Sequence, residues 1–152
     1  MLKGISSELR SKFIHKLDPK NRVAIPSEWE PGEGCPLLLL EAKKEGLKMI
    51  KALTHAKFDE YVAMVRSSDK TPAIKEMVIG RLYAECVETV ISAQGKMLIP
   101  KKMCEQANLS GEVRLVGRGS YFEIWRPDVY DEFECLEKAR LEEFSAEFGI
   151  FQ

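Results

Sequence analysis

The chain is 152 residues long, 45% hydrophobic and 31% charged, with 23 basic side chains against 24 acidic ones. That length fits one domain or two very small ones, and that composition supports a packed core and excludes wholesale disorder. No stretch approaches the roughly 18 consecutive apolar residues of a membrane helix. The first eight residues lack the apolar run of a secretory signal, so a cytoplasmic protein with no membrane partner is expected.

The near-zero total hides a polarity. Residues 1–26 hold six basic side chains against two acidic ones, whereas residues 127–152 hold two basic against eight acidic. A local basic face can hold an anion whatever the net charge, although charged faces are commonly just solvated. Cys35, Cys86, Cys104 and Cys135 are too far apart for a Cys-x-x-Cys motif, and His15 and His55 are the only histidines. Free, mostly buried thiols are expected, with no metal and no cofactor.

In chain order, Phe13–Leu17 reads as a strand with Lys12 and Lys16 on its exposed face, followed by a turn at 18–22 and a second strand at Val23–Ile25. Ser27–Glu30 has room for one helical turn before Pro31 and Gly32. Leu37–Leu40 is a buried strand turning through Ala42–Gly46 into Leu47–Ile50. Phe58, Tyr61, Val62 and Val65 mark one face of a helix. Pro72 opens a second helix, with Ile74, Met77, Val78 and Leu82 expected on its apolar side. Val87–Ile91, a turn at 92–96 and Met97–Ile99 form another hairpin. Lys101–Ala107 follows as a helix stopped by Asn108 and Gly111. Val113–Val116 and Tyr121–Trp125 pair through Gly117-Arg118-Gly119. Val129, Phe133, Leu136, Phe144 and Phe148 mark a closing helix whose aromatic face is expected to be core by default, with a subunit seam as the alternative.

This order repeats. Asp18-Pro19-Lys20-Asn21-Arg22-Val23-Ala24-Ile25-Pro26 aligns with Ser92-Ala93-Gln94-Gly95-Lys96-Met97-Leu98-Ile99-Pro100, 74 residues on, and Phe58-Asp59-Glu60-Tyr61 aligns with Tyr130-Asp131-Glu132-Phe133, 72 residues on. Two units are expected, residues 1–70 and 85–152, joined by a connector helix over 71–84. Asp18 and Ser92 are turn-opening acceptors, and Asn21 and Gly95 stand where a bulged three-residue hairpin needs a left-handed residue. Each tip then ends in a cation, Arg22 or Lys96. Two readings of these tips stay open: a folding device with solvent-facing cations, or a rigid mount for groups that grip phosphate or a guanine edge. There is no phosphate-binding P-loop, no G-x-G-x-x-G and no nucleophile elbow, so neither an enzyme nor a small-molecule substrate is expected.

The doubled turn, Gly95-Lys96-Met97-Leu98-Ile99-Pro100 and the run Val113 to Trp125 together resemble the MraZ family of bacterial transcription factors, over essentially the whole chain. Single copies of the turn occur in the wider AbrB-like, swapped-hairpin superfamily. The resemblance implies an α+β fold in which two tandem AbrB-like swapped-hairpin units form a pseudo-twofold barrel with flanking helices. It implies a ring-like homo-oligomer in the nucleoid that binds tandem short promoter repeats on double-stranded DNA. Such a ring would regulate the division and cell-wall gene cluster, usually by repression. The family's DNA-contacting cations fall on Lys20, Arg22 and Lys96, with Lys12 and Lys16 beside them. Asn21, Ser92, Gln94 and Lys96 depart from the family pattern, so the first turn is expected to dominate. An AbrB-like antitoxin and an oligomeric scaffold without DNA are the alternatives.

Overall fold

The computed structural model describes residues 4–151. Among the described residues eight strands and four helices follow in this order: β1 (Lys12–Lys16), β2 (Arg22–Ala24), β3 (Pro36–Lys44), β4 (Leu47–Leu53), α1 (His55–Arg66), α2 (Pro72–Glu85), β5 (Val87–Val90), β6 (Lys96–Leu98), α3 (Lys101–Gln106), β7 (Glu112–Gly117), β8 (Tyr121–Trp125) and α4 (Pro127–Phe148). A single 3₁₀ turn, Ser27–Trp29, stands where α3 stands in the second half.

Six strands form one antiparallel sheet in the order β1-β7-β8-β4-β3-β5, and β2 and β6 form a separate two-stranded ribbon. The α+β class therefore holds, but the expected barrel does not. The large sheet is open at β1 and β5, because β2 and β6 are three residues each and bond to one another instead of closing it.

Strands from the two halves of the chain alternate in their pairing. β1 pairs β7, β3 pairs β5, β4 pairs β8 and β2 pairs β6. Two of these ladders pair residues 74 apart, Val23 opposite Met97 and Ile50 opposite Ile124. The same symmetry governs side chains: His15 Nδ1 bonds the Ala24 carbonyl, and Thr89 Oγ1 donates to the Leu98 carbonyl at 2.8 Å.

The sheet has two covered faces, as its period of two requires. Leu37, Leu39, Ile50, Ala52, Phe122 and Ile124 point towards the ribbon, where they meet Val23, Met97, Trp29, Met103 and Cys104 in the main core. On the other face, Leu38 and Leu53 pack against Phe58 and Val62 of α1, and Met49, Val116 and Trp125 pack against Tyr130 and Phe133 of α4. Trp125 stacks on Phe133 with centroids 4.8 Å apart. The ribbon and the long helices thus lie on opposite sides of the sheet.

Three sequence expectations shift. The β3–β4 connection is two residues, not five: Glu45 and Gly46 both have positive φ, 51° and 76°, as a tight hairpin turn of matching twist requires. In α2 it is Ile79 and Leu82 that pack on α1, while Ile74 and Met77 are exposed, because Tyr83 reaches Phe58 and sets the helix's rotation. In α4 the aromatic stripe divides. Phe133 is buried, but Phe144 and Phe148 are 47% and 67% exposed, because the helix outlasts the sheet beneath it.

Gly117 has a steric role at the β1 edge. A β carbon there would sit 2.6 Å from the Leu9 carbonyl carbon and oxygen and 2.8 Å from the Arg10 nitrogen, all backbone atoms. The segment before β1 is tied in at this point by paired Leu9–Gly119 backbone bonds and by the Gly117 N–H donating to Ser11. Gly117→Ala is expected to lose about 1–3 kcal/mol of stability by forcing that segment away. Chemical denaturation with an unchanged slope would register it, and wild-type stability would show the strand yields freely.

Candidate nucleic-acid interface

The two repeated turns share one local geometry. In the first, the Asn21 N–H donates to the Asp18 carbonyl and the Asp18 N–H to the Arg22 carbonyl, both at 2.9 Å, with Asn21 at φ 61°. In the second, Gly95 donates to Ser92 at 3.0 Å and Ser92 to Lys96 at 2.9 Å, with Gly95 at φ 74°. Asn is the non-glycine residue that best tolerates this conformation, which explains its standing opposite a glycine.

The turns are also tied to each other. The Ile25 N–H donates to the Gly95 carbonyl at 2.9 Å and the Ile99 N–H to the Asn21 carbonyl at 2.8 Å. The chain leaving each tip therefore caps the other tip. With Val23 and Met97 fully buried beneath, the ribbon has little freedom to flex.

Alternation then fixes what the ribbon shows to solvent. Arg22 and Lys96 lie on its outer face as diagonal neighbours, since Arg22 is opposite Leu98 and Lys96 opposite Ala24. Both side chains are well exposed, at 46% and 39%. Between them lies the Asp18 carboxylate, which accepts from Arg22 Nε at 2.9 Å and has Lys96 Nζ 3.9 Å away. The Arg22 backbone N–H, joined by the Lys20 N–H and the Arg22 side chain, holds the Asp18 carboxyl below the usual range against the opposing effect of desolvation. Lys20 is exposed at the tip, with no ion-pair partner among the described residues.

The remaining two cations of the sequence reading lie elsewhere. Lys12 and Lys16 point to the side of β1 opposite its core-facing residues Phe13 and His15, and so away from the ribbon. Lys12 is bound to Glu134 of α4 at 2.7 Å, and its ammonium stands over the Tyr130 ring. Lys16 is exposed on the same strand face. Much of the acidic closing helix serves the chain itself. Arg114 faces Asp131 at 3.5 Å, Arg118 faces Glu137 at 3.6 Å and Arg140 bonds Glu45.

Sequence reasoning missed that the two tips meet around one carboxylate. The repeat placed Arg22 and Lys96 at equivalent positions, but only the β2–β6 register brings them together. It also missed Glu123, which is fully buried on β8 with Arg118 and Lys44 around it. Among the described residues no group of three or more His, Cys, Asp or Glu side chains could hold a metal, and no helix is long and apolar enough to cross a membrane. All four cysteines are free, and burial pushes the thiols of Cys35, Cys86 and Cys104 up.

Residues 82–147 match the family described as "MraZ protein, putative antitoxin-like". The chain is 28% identical over 142 residues to the transcriptional regulator MraZ of Parvibaculum lavamentivorans, covering 91% of this chain and 88% of that one. It is 24% identical over 160 aligned residues to that of Ruegeria pomeroyi, covering 97% and 95%. The second half of the chain thus matches the MraZ family model, and nearly the whole chain is similar to proteins named transcriptional regulator MraZ. The MraZ of Mycoplasmoides gallisepticum is 26% identical over 121 residues, covering 80% of this chain and 83% of its own. Because likeness to an MraZ protein runs through 97% of the chain, it takes in both turns and the ribbon between them.

Proposed function

We propose that this chain is a sequence-specific transcriptional regulator that grips double-stranded DNA with the outer face of the β2–β6 ribbon. Arg22 is the reading side chain, Lys20 and Lys96 are the phosphate contacts, and Asp18, Asn21, Ser92 and Gly95 build the two tips. The observation that carries this reading is the rigid pairing of two cationic tips on one exposed face, clear of the acidic α4 on the far side of the sheet. A two-stranded ribbon fits the major groove, and a guanidinium held at its tip loses little entropy on contact. The names of the MraZ relatives support transcription as the process.

One ribbon offers too few contacts for tight binding, so the protein acts as a homo-oligomer, a ring that sets several tips on tandem short repeats. The exposed Phe144, Phe148 and Met77 support self-association, since a monomer gains nothing by leaving them in water. The repeats lie upstream of its own division and cell-wall gene cluster, which it represses from the cytoplasm as a nucleoid-associated protein. No membrane and no small molecule take part. An antitoxin draws support from the family description, but α4 is already occupied by its own sheet.

The test is a mobility shift on DNA from upstream of the gene at increasing salt. Affinity is expected to fall with a log–log slope near −0.9 per phosphate neutralised, about −3 for each set of three cations engaged. A scaffold without DNA would give no shift at any salt concentration, which would reject the reading.

A further inference from the structure

The two turns solve the same folding problem with unequal means. Ser92 uses its one oxygen as a backbone acceptor, with Oγ receiving the Lys96 N–H at 3.1 Å. Asp18 does that work with Oδ1 alone, which accepts the N–H groups of Lys20 and Arg22 at 2.9 Å each. Its second oxygen, Oδ2, takes no backbone bond. It holds Arg22 Nε at 2.9 Å and faces Lys96 Nζ at 3.9 Å. The second turn closes with a similar left-handed φ and nearly the same backbone bonds without any such oxygen. The Oδ2 of Asp18, and the charge that comes with it, are therefore surplus to forming the turn.

We propose that Asp18 is the specificity-determining residue of this interface, a positioning group that aims the Arg22 guanidinium at a base edge and keeps it from settling on bare phosphate. The proposal rests on the DNA-binding reading above. Two physical effects support it. With Nε engaged, the guanidinium is restrained, and its two terminal nitrogens, which bond nothing among the described residues, remain as the paired donors that a guanine O6/N7 edge accepts. An anion between two cations also removes one charge from the local field that draws a polyphosphate, so non-specific grip weakens while the directed hydrogen bonds remain. The asymmetry has a further consequence. Only one of the two pseudo-twofold tips carries an oriented arginine, so each protomer reads one side of its site through bases and the other through the backbone.

Asp18→Asn and Asp18→Ser separate the two roles of this side chain. Both keep an oxygen for the turn, and the serine variant copies the second tip. Binding is measured on a duplex from upstream of the gene and on a scrambled duplex of the same length and composition, over a salt series, alongside thermal melting. Both variants are expected to bind the scrambled duplex more tightly, with a salt slope steeper by about 0.9, and to lose about tenfold in the ratio of the two affinities. A purely structural Asp18 would lower the melting temperature and scale both affinities together, leaving the ratio and slope unmoved, and that result overturns the proposal. Arg22→Ala in the same series keeps the two ideas apart. If it weakens binding while the Asp18 variants keep wild-type discrimination, this inference fails alone. If the unmodified protein binds neither duplex, both fail.

Discussion

Arg22→Ala is expected to cost roughly ten- to a hundred-fold in affinity for the upstream duplex per engaged tip, while the protein keeps its fold and its assembly state. The side chain is half exposed, its only polar partner among the described residues is Asp18, and it lies outside the core beneath the ribbon. Truncation therefore leaves no cavity. It does leave the Asp18 carboxylate facing the DNA with only Lys96 beside it. In an array that engages several tips at once, losses multiply, so the observed loss in the assembled protein is expected to exceed that of a single contact. Lys96→Ala should cost far less, because an ammonium acts on phosphate as a point charge and lacks the planar fork. It should reduce the salt slope by about 0.9 and weaken all sequences alike. Equal losses for the two variants, on matched and scrambled duplexes alike, would show that the ribbon grips the backbone only. Size-exclusion profiles that shift with Arg22→Ala would instead place this residue at a subunit contact.

Much of this was legible in the sequence because the chain states it twice. Turn chemistry at Asp18-Pro19-Lys20-Asn21 and Ser92-Ala93-Gln94-Gly95 is local, and the side chains that make it are named by their own backbone requirements. The helix start at Pro72 and the strand pair at Val113–Trp125 are local in the same sense. Pairing between distant strands is not. Nothing in the run Arg22-Val23-Ala24 specifies that it will bond Lys96-Met97-Leu98 and leave the larger sheet open, since both outcomes bury Val23 and Met97. The rotation of α2 is not legible in its sequence for a related reason. Its apolar residues are distributed round the helix, and the choice of face falls to Tyr83 against Phe58, a tertiary contact. The cations Lys12 and Lys16 are close to the first tip in sequence. A strand's alternation sends them to the opposite side of the sheet, where acidic α4 explains Lys12 without any nucleic acid.

The sheet beneath that helix carries the largest expected effect on stability. Glu123→Ala is predicted to cost about 3–5 kcal/mol, because it strands two cations that face a fully buried carboxylate. Arg118 Nε donates to Glu123 at 2.9 Å, Trp125 Nε1 at 3.1 Å, and Lys44 forms the third contact. Burial alone would push the Glu123 carboxyl up, but hydrogen bonds from Lys44, Trp125 and Arg118 outweigh it and hold the group below its ordinary value. The fold itself does not demand a charge here. The residue 74 positions earlier is Met49, equally buried on β4. Replacing Lys44, Arg118 and Glu123 together by Met or Leu is therefore expected to recover most of the stability that the single change removes. Acid should attack the same corner of the molecule. The hydrogen bond from Lys12, then that from Tyr130, brings the Glu134 carboxyl down to about 2. A folded-state value below the unfolded one means stabilisation that is complete at neutral pH and lost as pH falls from about 5 towards 2. Trp125 stacks on Phe133 of α4, and Trp29 lies in the core on the other face of the sheet, so their fluorescence distinguishes the two regions. In a Trp29→Phe background the Trp125 signal should move at higher pH than the Trp29 signal does in a Trp125→Phe background. Coincident acid transitions would show that α4 and the core unfold as one unit, and a Glu123→Ala variant melting with the wild type would show that water already satisfies the two cations.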